Sequence, residues 1–70
     1  MAADFRHTVS FENVICERQT AQAILVYLPD REEPVWIPQS QIDDTSEVWK
    51  EGQQGDLVVS EWIAVQKGLV

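Results

Sequence analysis

Seventy residues with 44% hydrophobic content, three Trp, one Tyr and two Phe predict one small domain, rich enough in apolar side chains to fold and too short for a second core. The lone cysteine, Cys16, excludes an internal disulfide, and together with the lone histidine, His7, it falls short of a structural zinc site, so a reducing, cytoplasmic setting is expected with no metal or cofactor. A formal charge of −7 disfavours phosphate backbones as partners, and no apolar run is long enough to span a bilayer.

Residues 1–8 show no periodicity and read as a loose lead-in, from which Phe5 can pack back onto a domain over 9–70. Val9 and Phe11 share one parity and Val14 and Cys16 the other, so the chain changes face near Glu12 and Asn13, which predicts a bulge in a long strand. The polar run Arg18-Gln19-Thr20 is expected to be a hairpin turn, although it lacks Asn-Gly or Asp-Gly. From Ala21 to Leu28 the chain is apolar on both parities, Ile24, Val26 and Leu28 on one and Ala23, Leu25 and Tyr27 on the other. That pattern predicts a central strand covered on both faces.

Pro29-Asp30-Arg31-Glu32-Glu33-Pro34 places four charged residues between two prolines and reads as a solvated loop into a strand over Val35-Trp36-Ile37, paired antiparallel with the strand before it. Pro38 removes a ladder donor and ends that strand or confines it to an edge. Ile42 then returns as a core anchor. Asp43-Asp44-Thr45-Ser46 has the chemistry of an Asx turn, and Glu47-Val48-Trp49-Lys50 reads as a brief strand or one helical turn. Gly52 and Gly55 supply a further turn before a strand over Asp56-Leu57-Val58-Val59.

Ser60 changes the period. With Glu61 in the first turn it is an N-cap for a short helix through Lys67, closed by Gly68 as a left-handed residue with Leu69 folding back. Trp62, Val65 and Ile63 are expected to form the face that covers the sheet. The sum is mainly β: four or five strands in a small antiparallel barrel or strongly bent sheet of the SH3-like or OB-like kind, with a short C-terminal helix.

The run Trp36-Ile37-Pro38-Gln39-Ser40-Gln41-Ile42, the glycines at 52 and 55, Leu57-Val58-Val59-Ser60-Glu61-Trp62 and the terminal Lys67-Gly68-Leu69 together resemble a small domain of bacteria and their phages. Its pattern is Trp-Ile-Pro-Lys-Ser-Gln-Ile followed by an apolar strand and a Trp-containing helix ending in Lys-Gly-Leu. The resemblance spans about residues 14 to 69, and Gln39 stands where the pattern prefers Lys, which removes a positive charge. It implies a non-catalytic binding module carried by mobile elements.

Nothing in the spacing sets His7, Cys16 and Ser40 into a nucleophile, base and orienter, so catalysis is not expected. The paired acids Glu32-Glu33 and Asp43-Asp44 lack calcium-loop spacing and read as solvated. Trp36 has two readings. If Val35 and Ile37 point inward it faces out and anchors an interface; if both sheet faces are covered it lies beneath the helix against Trp62, the commoner fate of a large aromatic.

Eight acids (Asp30, Glu32, Glu33, Asp43, Asp44, Glu47, Glu51, Asp56) face two bases (Arg31, Lys50) between residues 30 and 56. The functional expectation follows: an acidic protein-binding module that docks Asp30, Glu32, Glu33, Trp36, Asp43, Asp44 and Glu47 on a basic surface of a nucleic-acid-handling machine, as an inhibitor of host defence such as a CRISPR effector would. The alternative is a single-stranded nucleic-acid binder that stacks bases on Trp36 and Tyr27, with Arg6, Arg18, Arg31, Lys50 and Lys67 gathered on one face. A homodimeric accessory domain of a larger complex is the third reading.

Overall fold

The computed structural model describes residues 7–70. Four strands form one antiparallel sheet: β1 (Thr8–Gln19), β2 (Ala23–Tyr27), β3 (Val35–Pro38) and β4 (Gln54–Ser60). Their spatial order is β3-β2-β1-β4. The sheet curls into a half-barrel, the strongly bent form of the expected class, and a short helix, α1 (Glu61–Gln66), follows β4 directly.

Two irregularities in β1 allow the curl. Phe11 pairs with Leu57 and Val14 with Gly55, so one extra residue sits in β1, with Asn13 at φ 57°. This is the bulge expected from the change of parity. Asn tolerates the left-handed region better than most side chains, and the added residue lets Val9, Phe11, Val14 and Cys16 all face inward despite their mixed parity. A second bulge lies between Cys16 and Arg18, which pair with Val26 and Leu25. Arg18 and Gln19 therefore still belong to the sheet, and the hairpin turn falls at 20–22 instead. Its chemistry is that of a hydroxyl: Thr20 Oγ1 accepts from the Ala23 and Gln22 amides at 3.0 and 3.3 Å. Thr8 likewise belongs to β1 and not to a lead-in, while Phe5 and Arg6 lie outside the described residues.

The core is aliphatic. Val14, Cys16, Ile24, Val26, Leu28, Ile37, Ile42, Val48, Leu57, Val59, Ile63 and Ala64 are buried in one cluster, each larger side chain contributing about 1.5–3 kcal/mol of transfer free energy. Phe11 and Trp49 pack partly against it. Only one parity of β2, that of Ile24 and Val26 and continued by Leu28 just beyond it, faces this cluster; the opposite face is not covered by the described residues, contrary to the expectation of a strand buried on both sides.

Trp36 accordingly points outward at 41% exposure and does not lie beneath the helix. The helix buries Ile63 and Ala64, while Trp62 and Val65, expected on its inner face, are 51% and 56% exposed. Its rotation is fixed at both ends rather than by its own periodicity. Ser60 Oγ accepts from the Ile63 amide at 3.3 Å, and the Gly68 and Leu69 amides donate to the Val65 and Ala64 carbonyls at 3.0 and 2.8 Å, with Gly68 at φ 69°. This is the paired closure of a Schellman motif, and it draws Leu69 back onto the core.

Between β3 and β4 the chain crosses from one edge of the sheet to the other. A single 3-10 turn (Gln39–Gln41) follows Pro38, and Ile42 enters the core as a one-residue bridge to Val59. Residues 43–48 then run along the outer edge of β4, with the Asp43 amide donating to the Val58 carbonyl and the Glu47 amide to the Asp56 carbonyl, both at 2.8 Å. Residues 47–50 form neither strand nor helical turn. Ser46 Oγ organises them, accepting from the Val58 and Val48 amides at 3.1 and 3.4 Å.

Candidate functional site

The seven acidic and aromatic residues expected to dock a partner do not form one patch. The chain sets them in three places. Asp30, Glu32 and Glu33 stand on the β2–β3 loop, Trp36 lies on the outer face of β3, and Asp43, Asp44 and Glu47 lie along the β4 edge.

Two of the acids on the β4 edge serve the fold. Asp43 Oδ2 accepts from the Thr45 amide at 3.0 Å and from Thr45 Oγ1 at 2.5 Å, the Asx turn anticipated from the sequence. Those two bonds, the hydroxyl first, hold its carboxyl below the ordinary value. Glu47 Oε1 accepts from the Asp56 amide at 3.0 Å. It lies over Gly55, where an added Cβ would come within 2.7 Å of that oxygen, so the glycine is needed for the carboxylate to reach the backbone. Asp44 is exposed.

The motif around Trp36 is largely a structural corner. Ile37 is in the core, Gln39 Nε2 donates to the Thr20 carbonyl at 2.8 Å, and Gln41 Oε1 accepts from Ser60 Oγ at 2.6 Å, both members of that last pair being buried. Trp36 is different. On the outer face the register sets Trp36 beside Leu25 and Leu25 beside Arg18, while the next rung sets Tyr27 beside Ile15 and Ile15 beside Gln54. Trp36, Leu25, Tyr27 and Ile15 thus form an apolar strip across three strands, with Trp36, Tyr27 and Ile15 exposed. Glu17, Arg18 and Glu51 surround the Trp36 end. Ile15 and Leu25 escape a reading that looks for functional side chains, because an aliphatic residue in a strand is first assigned to the core; only the register shows that their parity faces out.

A second feature occupies the concave side. An open cleft of about 980 Å³ is lined by residues 10–13 of β1, the loop from Leu28 to Val35, and Leu69. β2 ends at Tyr27 opposite Ile15, so the part of β1 before Ile15 pairs only with β4, and the gap beside it is the cleft. Arg31 donates from its guanidinium to the Gly68 carbonyl and so ties the loop to the end of α1, where a positive charge also suits the helix terminus.

His7 and Cys16 lie nine residues apart on one extended segment, at about 3.3 Å per residue far beyond hydrogen-bond reach. Cys16 is 1% exposed and its Sγ donates to the Arg18 carbonyl at 3.2 Å; burial pushes the thiol up from its ordinary value, away from the reactive thiolate. Ser40 is exposed on the 3-10 turn. Among the described residues no group of three or more His, Cys, Asp and Glu is placed to hold a metal, and no helix is long and apolar enough to cross a membrane.

The class that fold and surface define is a small curled antiparallel sheet with an apolar outer strip and an acidic cleft. Comparison with protein-family models, curated proteins and solved structures finds no match to this chain.

Proposed function

We propose that this chain is a non-catalytic protein-binding module whose partner presents a basic surface of the kind that holds nucleic acid, and that the module competes with nucleic acid for that surface. The observation that carries the reading is the outer strip of Ile15, Leu25, Tyr27 and Trp36, contiguous across three strands and left uncovered by the described residues. Exposed aromatic anchors concentrate binding energy at protein interfaces. The formal charge of −7 steers such a surface toward basic partners and away from nucleic acid itself.

Stacking of single-stranded nucleic acid is less well supported, although Trp36 and Tyr27 share the strip. It requires bases gathered beside them. Arg18 is on that face, but Arg31 and Lys67 stand at the C-terminal end of α1 and Lys50 in the turn before β4.

The test is capture of partners by the tagged chain from bacterial lysate treated with nuclease, comparing the native sequence with a Trp36→Ala/Tyr27→Ala variant shown to be folded by circular dichroism. A nuclease-resistant, salt-sensitive protein retained by the native chain and lost by the variant is expected. Retention that depends on intact nucleic acid, or that the two substitutions leave unchanged, would refute the proposal.

A further inference from the structure

The concave cleft has a composition that selects for one chemistry. Its floor is apolar: Phe11, Val35 and Leu69 are half-buried there above the buried Leu28. Its rim carries four carboxylates, Glu12, Asp30, Glu32 and Glu33, against the single guanidinium of Arg31, which is turned onto the Gly68 carbonyl. An apolar ligand would strip water from those carboxylates without replacing it, and an anion would be repelled. A ligand with an aliphatic stem and a cationic head satisfies both parts, the stem on the floor and the head at the rim. Pro29 and Pro34 bracket the rim loop and fix φ at both of its ends, which lowers the ordering cost of binding.

We infer that this cleft receives an arginine or lysine side chain from a basic segment of the partner protein. The inference rests on the proposed function for the partner being a basic protein, and it adds a site on the face opposite the Trp36 strip, since Val35 points into the half-barrel where Trp36 points out. The cleft reads the cation; the strip supplies the apolar anchor.

The probe is a short blocked peptide of arginine and glycine added to the isolated chain, followed by amide chemical shifts and by calorimetry, with a citrulline-for-arginine peptide as the uncharged control. Saturable shifts are expected at the amides of Phe11, Glu12, residues 30–33, Val35 and Leu69. A Glu32→Gln/Glu33→Gln variant is expected to weaken binding about tenfold. An Asp56→Asn/Glu61→Gln variant, which removes the same charge from exposed positions outside the cleft, is expected to change it less than about twofold. Equal weakening by the two variants, shifts centred on residues 43–47 or on the outer strip, equal binding of the citrulline peptide, or no binding would each overturn the inference. Failure of lysate capture with the peptide result intact would count against the proposed function alone, and capture of a partner with the peptide result absent would count against the cleft alone.

Discussion

Ser60→Ala is the substitution that tests most of the argument about how the corner and the helix are joined. Ser60 is fully buried, caps α1 through the Ile63 amide, and donates to Gln41 Oε1 at 2.6 Å. Loss of the cap costs about 1 kcal/mol. Leaving the buried Gln41 carbonyl without a donor costs about 1–3 kcal/mol more. The sum, about 2–4 kcal/mol, is a large part of the stability of a domain this small and corresponds to a fall in Tm of about 8–30 °C. Thermal melts and urea titrations by circular dichroism measure it, with an unchanged m value required for the comparison. In a Gln41→Leu background the orphaned carbonyl no longer exists, so Ser60→Ala should then cost only about 1 kcal/mol for the cap. A loss under about 0.5 kcal/mol in the native background, or the same loss in both backgrounds, would show that the buried pair does not couple the corner to the helix.

Three further outcomes are expected. Ile37→Ala should destabilise the fold by about 2–5 kcal/mol as a core cavity, whereas the adjacent Trp36→Ala should stay within about 1 kcal/mol, because only the former faces the core; chemical denaturation of the two variants separates structural from exposed positions within the motif. Gly68→Ala should cost about 1–2 kcal/mol, since the left-handed backbone at φ 69° is strained for a Cβ although nothing crowds that position, and Gly68→Asn should recover part of the loss in the same melts. Thr45→Val removes the larger of the two influences holding the Asp43 carboxyl down, so a carbon-detected titration should show its pKa moving up toward the ordinary carboxylate value. Because the folded value is depressed, the stability this turn contributes is present above the ordinary carboxylate pKa and is lost as pH falls through the folded value. The variant should therefore show a shallower acid limb, and an unmoved Asp43 titration would contradict the assignment.

Where a single residue type dictates backbone geometry, the fold was legible from sequence. The two prolines around residues 30–33 and the apolar runs beside them determined the β2–β3 hairpin, and Ser60 with Gly68 marked both ends of the helix. The parity change at Glu12 and Asn13 located the first bulge. What escaped depended on long-range partners. Arg18 and Gln19 look like a turn because a polar residue on an exposed strand end has the same composition as a loop. The rotation of α1 followed from its two caps and the return of Leu69, while Trp62 and Val65 suggested the opposite face by hydrophobicity alone. The role of Glu47 was hidden for the same reason. A carboxylate that accepts from a backbone amide nine or ten residues away, as Glu47 does from Asp56, reads in one dimension as a free surface charge.

The run of residues 42–48 along β4 has a further effect on how this protein can associate. Stacking strands into a growing ribbon requires every subunit to offer an open border on each side, one to receive and one to be received. Here the β4 border is already occupied by the chain's own backbone, through the bridge at Ile42 and the amides of Asp43 and Glu47. The opposite outer border, β3, is four residues long, follows Pro34 and ends in Pro38. Among the described residues, two copies joined along it would leave unpaired only the part of β1 before Ile15, recessed beside the cleft, so addition at the outer borders of the sheet would stop at a pair.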